Sequence, residues 1–193
     1  MTVSPIACGV FLLVALTLAG CAQTAWFTTS WSRAIALPLD GGLTWRGRRL
    51  FGANKTLRGF VVMVPATALA FAGLTTTLGG GQPETAGLWM LSVRQYAWLG
   101  AWAGLGFMAG ELPNSFLKRQ LGIEPGEAVT RPVAQAIQFA GDRLDSGIGM
   151  LTVVSLVVPT PWTTWAMVLI VGPFIHWAFS AAMFGLGIKA RAA

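Results

Sequence analysis

Charge is scarce in this chain. Its 193 residues include 13 Lys and Arg, 7 Asp and Glu, and one His, so charged residues make up 10%, where an ordinary soluble domain carries about 25%. With 54% hydrophobic residues and a mean hydropathy of +0.64, the apolar surface exceeds what a soluble core of this size can hide. The composition therefore implies an integral membrane protein. The one His is too few for a His-rich metal centre and, within the last apolar segment, is poorly placed for a Ser-His-Asp arrangement. The two cysteines, Cys8 and Cys21, have no Cys or His at metal-ligand spacing and are expected to be inert packing residues. No basic residue precedes Arg33, so "LAGC" (Leu18–Cys21) lacks the charged beginning of a signal peptide. The apolar run continues past Cys21 and is expected to be a first transmembrane helix. There is no internal repeat and no low-complexity tail.

Long hydrophobic runs are plentiful. Five segments are predicted to span: about Pro5–Thr28, Gly59–Leu78, Tyr96–Leu112, Val133–Val158 and Trp162–Leu186. The net charge of +6 lies in a few loops rather than on a basic face with interleaved aromatics, which speaks against a nucleic-acid partner. The first loop holds Arg33, Arg46, Arg48, Arg49, Lys55 and Arg58. The third holds Lys118, Arg119 and Arg131, and Lys189 and Arg191 follow the last segment; only Arg94 falls on the other side. Basic loops stay in the cytoplasm. The expectation is one all-α membrane-embedded domain, about five transmembrane helices with two long cytoplasmic loops, N-terminus outside, in the cytoplasmic membrane.

Trp26, Trp31, Trp89, Trp162 and Trp165 fall near the expected helix ends, where interfacial belts form. "GAWAG" (Gly100–Gly104) and "GFMAG" (Gly106–Gly110) set small residues at four-residue spacing, a pattern for close helix packing that could also serve a homodimer. His176 is expected to be packed and hydrogen-bonded, with a site-lining role as the alternative.

The chemistry concentrates where the polar residues enter the membrane. Ile148–Val158 covers only ~16 Å of a ~30 Å hydrocarbon core, so "VAQAIQFAGDRLDSG" must supply the rest of that crossing. Helical spacing aligns Gln135, Gln138, Asp142, Asp145 and Gly149 on one stripe. Such a stripe must face other helices or a wet cavity, and ionisable residues at that depth point to function; a structural ion pair with a cytoplasmic Arg is the plainer alternative. Two carboxylates one turn apart suit Mg²⁺, which completes its shell with water and substrate phosphates. "GANKTLRG" puts Asn54, Lys55, Thr56 and Arg58 just before the second helix. "ELPNSFLKRQLGI" puts Asn114, Ser115, Lys118 and Arg119 just after the third. Donors and cations around a carboxylate pair fit a polyphosphate–metal complex.

Together "GANKTLRG", "ELPNSFLKRQLGI" and "GDRLDSG" resemble the CDP-archaeol synthase family, relatives of phosphatidate cytidylyltransferase. "DRLD" and "SFLKR" resemble the two ends of the phosphatidate enzyme signature; its lysine- and histidine-bearing middle is absent here, which favours the archaeol-type branch. The resemblance implies transfer of CMP from CTP to a membrane lipid phosphate, with release of pyrophosphate. It implies that Asp142 and Asp145 hold Mg²⁺ and that Lys55, Arg58, Lys118 and Arg119 stabilise phosphate charge. Asn54, Thr56, Asn114 and Ser115 would position CTP, with Arg143 lying between the carboxylates. Glu111 is either a second metal ligand or the orienter of a basic residue. The nucleophile, a phosphate monoester with a second pKa of ~6, needs no general base. The partners implied are CTP, a lipid phosphate and the surrounding membrane lipids, with the site facing the cytoplasm. The competing readings are a multi-pass transporter or channel using Asp142 and Asp145 as ion or proton ligands, a CDP-alcohol phosphotransferase, and a non-catalytic scaffold.

Overall fold

The computed structural model describes residues 3–78, 86–125, 127 and 132–187. Arg131, Lys189 and Arg191, counted above for orientation, lie outside them. The described chain is built from α1 (Pro5–Thr28), α2 (Ser30–Ala34), a hairpin of β1 (Thr44–Trp45) and β2 (Arg48–Arg49), and α3 (Leu57–Thr77). α4 (Val93–Gln120), α5 (Pro132–Val157) and α6 (Trp162–Gly185) follow.

Helix starts follow their local chemistry. Ser4 Oγ accepts the Ala7 amide ahead of Pro5, which needs no donor at that position. Ser92 and Gln95 close a capping box on α4. The "PTP" turn ends α5, and Thr164 Oγ1 at the head of α6 donates to the Pro5 carbonyl at 2.9 Å, tying the two starts together. α1, α3 and α6 are long and apolar enough to cross a membrane, with mean hydropathies of 2.2, 1.7 and 1.8. α4 and α5, at 28 and 26 residues, reach ~40 Å but carry the charges.

The five long helices pack as a closed ring, in the order α1, α3, α4, α5, α6 and back to α1. Glycines set the tightest seams. A Cβ on Gly100 would meet the Thr67 carbonyl of α3 at 2.6 Å; one on Gly106 would meet the Gly149 carbonyl of α5 at 2.7 Å. The small-residue stripe is thus spent on packing within the chain, and these four glycines face α3 and α5 rather than a second copy.

One end of the ring is filled. Phe11, Phe71, Trp89 and Tyr96 meet edge to face and tilted at 4.9–6.4 Å between ring centres, over Leu99, Met150, Val154 and Val168. Trp89 therefore departs from the expected interfacial belt. It is 2% exposed, and its Nε1 donates to the Pro159 carbonyl at 2.8 Å. Trp31 and Trp162 do stand exposed. Of the cysteines, Cys8 is buried as expected, whereas Cys21 points outward.

The largest difference from the sequence expectation is in α4. The third segment was expected to end near Leu112, but the helix runs through Pro113 for two further turns to Gln120. Pro113 removes one backbone bond. Membrane helices tolerate this where neighbouring groups satisfy the freed carbonyl, and the extra turns bury Ser115 and Arg119. Asn114, Ser115, Lys118 and Arg119 are consequently helical residues, not loop residues.

Candidate active site

At the other end the ring opens into a cavity of about 710 Å³, within the ~300–1,000 Å³ range of small-molecule sites. α1, α4 and α6 end beside it, while α3 and α5 begin there. Two helix N-termini, whose free amides and dipoles favour anions, thus share one opening.

The segment before α3 is shaped by Asp40, 2% exposed. Its carboxylate accepts the amides of Gly42, Phe51 and Gly52, each at 3.1 Å, and pairs with Arg49. Burial alone would raise its pKa, but Arg49 and the three amides hold it down at about 2. Arg46 and Gly47, both at positive φ, make the hairpin turn. Arg48 donates to the Gln120 carbonyl at the end of α4. The ends of the segment are pinned where Leu39 N bonds Lys55 O at 2.8 Å and Leu57 N bonds Leu37 O at 2.9 Å. This clamp sets Asn54, Lys55, Thr56 and Arg58 at the cavity wall.

Two linked ion pairs line the cavity. Lys118 pairs with Asp142, and Lys55 pairs with Glu111. Asn114 Nδ2 bridges the carboxylates, 2.7 Å from Asp142 Oδ1 and 3.0 Å from Asp145 Oδ2. Ser146 joins the two pairs: its Oγ donates to Glu111 Oε1 at 2.8 Å and its amide lies 2.7 Å from Asp145 Oδ1. Burial opposes the charge on Lys55, but Glu111, then Asp145 and Asp142, raise its pKa above the ordinary lysine value. Arg58 stacks its guanidinium 4.7 Å from the centre of the Phe27 ring, and Arg143 stacks on Phe139 at 3.4 Å. The Nε atoms of Arg58, Arg119 and Arg143 lack a hydrogen-bond partner among the described residues.

The expected site residues are therefore gathered at one place. Asn54, Lys55, Thr56, Arg58, Glu111, Ser115, Lys118, Arg119, Asp142, Arg143 and Asp145 line the cavity, and Asn114 sits behind the two carboxylates. Gln135 and Gln138 line it too, as the stripe on α5 required, while Gly149 faces α4. Sequence reasoning missed Ser146, whose signal was adjacency to Asp145. His176, expected to be packed with a site-lining role as the alternative, lines the cavity near Glu111.

Fold and cavity together define a class: an all-α integral membrane protein with an ionisable, enzyme-like site set between its helices. Comparison with known proteins narrows it. A family model described as CarS-like, CDP-archaeol synthase, matches residues 10–192. The CDP-archaeol synthase of Halorubrum lacusprofundi is 32% identical over 161 residues, covering 79% of this chain and 81% of the relative. That of Methanopyrus kandleri is 34% identical over 155 residues, covering 79% and 77%. A solved structure described as an intramembrane enzyme for archaeal membrane lipids biosynthesis superposes with a TM-score of 0.58 over 86% of this chain and 90% of that one. At 24% identity, that likeness speaks to the fold. The chain belongs to the CDP-archaeol synthase family and is a CTP-dependent cytidylyltransferase acting in lipid biosynthesis.

Proposed function

We propose that this chain transfers CMP from CTP to an archaeol-type lipid phosphate, releasing pyrophosphate, at a site facing the cytoplasm. The observation that carries this is the pair Asp142 and Asp145, converging on the Asn114 amide beside Lys118 in a cavity ringed by further cations. An oxygen of the lipid phosphate attacks the α-phosphorus of CTP, and the bond to the β-phosphate oxygen breaks. The nucleophile is already anionic, so the side chains have charge to neutralise and groups to align rather than a proton to remove.

The donor set fits Mg²⁺. The two carboxylates stand close enough to share the Asn114 amide, one helical turn apart on α5. Two carboxylates with water and phosphates making up the rest is the coordination Mg²⁺ accepts. Asp142 and Asp145 would hold the ion, which when bound neutralises triphosphate charge. Lys55, Arg58 and Lys118 stabilise charge on the departing pyrophosphate and the lipid phosphate. Asn54, Thr56 and Ser115 hydrogen-bond the nucleotide, and Arg119 takes part in binding it. Glu111 acts as an orienter, pairing with Lys55 through one oxygen and accepting the Ser146 hydroxyl with the other.

The charge pattern and the five long helices support five spans with the N-terminus outside, in the cytoplasmic membrane. The test is label transfer from radioactive CTP to the organic phase, with purified protein, Mg²⁺ and a panel of lipid phosphates. Mg²⁺-dependent label in archaeol-type phosphate is expected. Intact CTP binding without label in any lipid would overturn the transfer.

A further inference from the structure

Arg119 is the most buried cation of the site. It is 7% exposed, yet neither its Nε nor its Nη1 has a hydrogen-bond partner among the described residues. Its nearest ion-pair contact among the described residues is with Glu124, whose Oε2 lies 3.8 Å from Nη1, beyond hydrogen-bonding range. A buried charged donor left unpaired is costly, so this guanidinium is poised for an acceptor that the described chain does not supply.

Its surroundings say which kind of acceptor. A Cβ built on Gly52, at φ +92°, would fall 3.1 Å from Pro125 Cγ, 3.3 Å from Asn54 Oδ1 and 3.4 Å from Arg119 Cδ. Arg119, Asn54 and Pro125 therefore share one corner of the cavity. Glu124 and Glu127 also line the cavity, and both, followed by Asp142, act electrostatically on the guanidinium. A corner with one guanidinium and two carboxylates repels a triphosphate but accepts an uncharged heterocycle.

We infer that Arg119, with Asn54 beside it, reads the pairing edge of the cytosine base and sets the preference for CTP. Cytosine offers two adjacent acceptors, O2 and N3, which match two N–H groups of the planar guanidinium fork. Its N4 amine is a donor, suited to the Asn54 Oδ1 or to the Glu124 carboxylate. Uracil carries N3–H where cytosine has an acceptor, so a donor would face a donor. Sites that hydrogen-bond a substrate group discriminate strongly because the wrong substrate strands buried polar groups. This rests on the nucleotide assignment above and specifies which part of the nucleotide Arg119 meets. It moves Arg119 from the phosphates, where the family resemblance had put it, to the base.

The test is equilibrium binding of CTP, UTP and 3-deaza-CTP, in which C–H replaces the N3 acceptor, to the full chain in detergent. Wild-type protein should bind 3-deaza-CTP and UTP roughly 10- to 100-fold more weakly than CTP. Arg119→Gln should lose affinity for CTP while the difference among the three collapses. Equal binding of CTP and 3-deaza-CTP by the wild type would overturn the inference without needing a folded variant. So would a parallel loss of CTP and UTP affinity in Arg119→Gln, which would put the guanidinium on the phosphates. Normal CTP binding with no label transfer would sink the transfer reading and leave this comparison standing. No binding of CTP at all would sink both.

Discussion

At the residue scale, the site depends on carboxylates that share partners. Asp142→Asn and Asp145→Asn keep the shape of each side chain and remove its charge. Each should lower turnover by at least ~100-fold, as expected for loss of transition-state electrostatics, while the purified protein still runs as a monodisperse species. Ordinary turnover in both variants would remove the metal assignment. Asp40 makes a separate prediction. Its folded pKa of about 2 lies below the ordinary 3.8, so its stabilising contribution is fully present above that ordinary value and disappears as pH falls through about 2. Asp40→Asn should therefore weaken protection of the Phe51 and Gly52 amides against hydrogen exchange at pH 7. Its difference from the wild type should shrink as the pH falls through about 2; an equal difference at pH 7 and at pH 2 would contradict the charge argument. The sequence made the charged residues of the site visible, because each is expensive in so apolar a chain. It did not reveal Asp40, whose role exists only once three amides from positions 42, 51 and 52 fold around it. Nor did it reveal Ser146, since one more hydroxyl in a helix carries no signal until Glu111 lies opposite.

At the element scale, the α4–α5 seam is the sensitive one. A Cβ on Gly110 would overlap the Asp145 carbonyl oxygen and come within 2.9 Å of Gly149 Cα, both of them backbone atoms that cannot swing aside. Gly110→Ala should therefore push α5 away and lower the thermal midpoint in detergent by several degrees, as a loss of ~1–3 kcal/mol from overpacking does. Activity should fall with it, because the displaced residue is Asp145 itself. Gly73→Ala is the control. Nothing lies within 4 Å of that position, so the thermal midpoint should hold or rise, the helix losing a flexible residue. Four of the five long helices begin and end within three residues of the segments expected from hydrophobic runs. The exception, the C-terminal end of α4, shows the limit of such reading. Proline is a stop signal in water, where the lost bond and the kink leave the chain free to turn. Here α5 packs along the continuation, and Asn114 and Lys118 bond across to Asp142, so tertiary contacts carry the helix past Pro113.

At the scale of the whole molecule, orientation is the property to measure. Single cysteines at Arg46 and at Met90, in a chain freed of Cys8 and Cys21, should label oppositely in intact cells. Arg46 should be protected from an impermeant maleimide and Met90 should react, since the two lie at opposite ends of the ring; the reverse pattern would invert the proposed topology. The up-and-down course of the helices also explains why nearly every described basic residue sits at one end: the same end carries the cavity, so the signal for topology and the residues proposed for chemistry coincide. The filled end has a consequence of another kind. The packed rings of Phe11, Phe71, Trp89 and Tyr96 close the bundle opposite the site, and the Tyr96 hydroxyl is turned onto the Trp89 carbonyl at 2.7 Å rather than left for water. A wet, highly charged hollow set into a bilayer would otherwise be half of an ion leak. The aromatic stopper leaves the cavity open at one end of the bundle, and a hollow closed at its far end offers ions no continuous path across a bilayer.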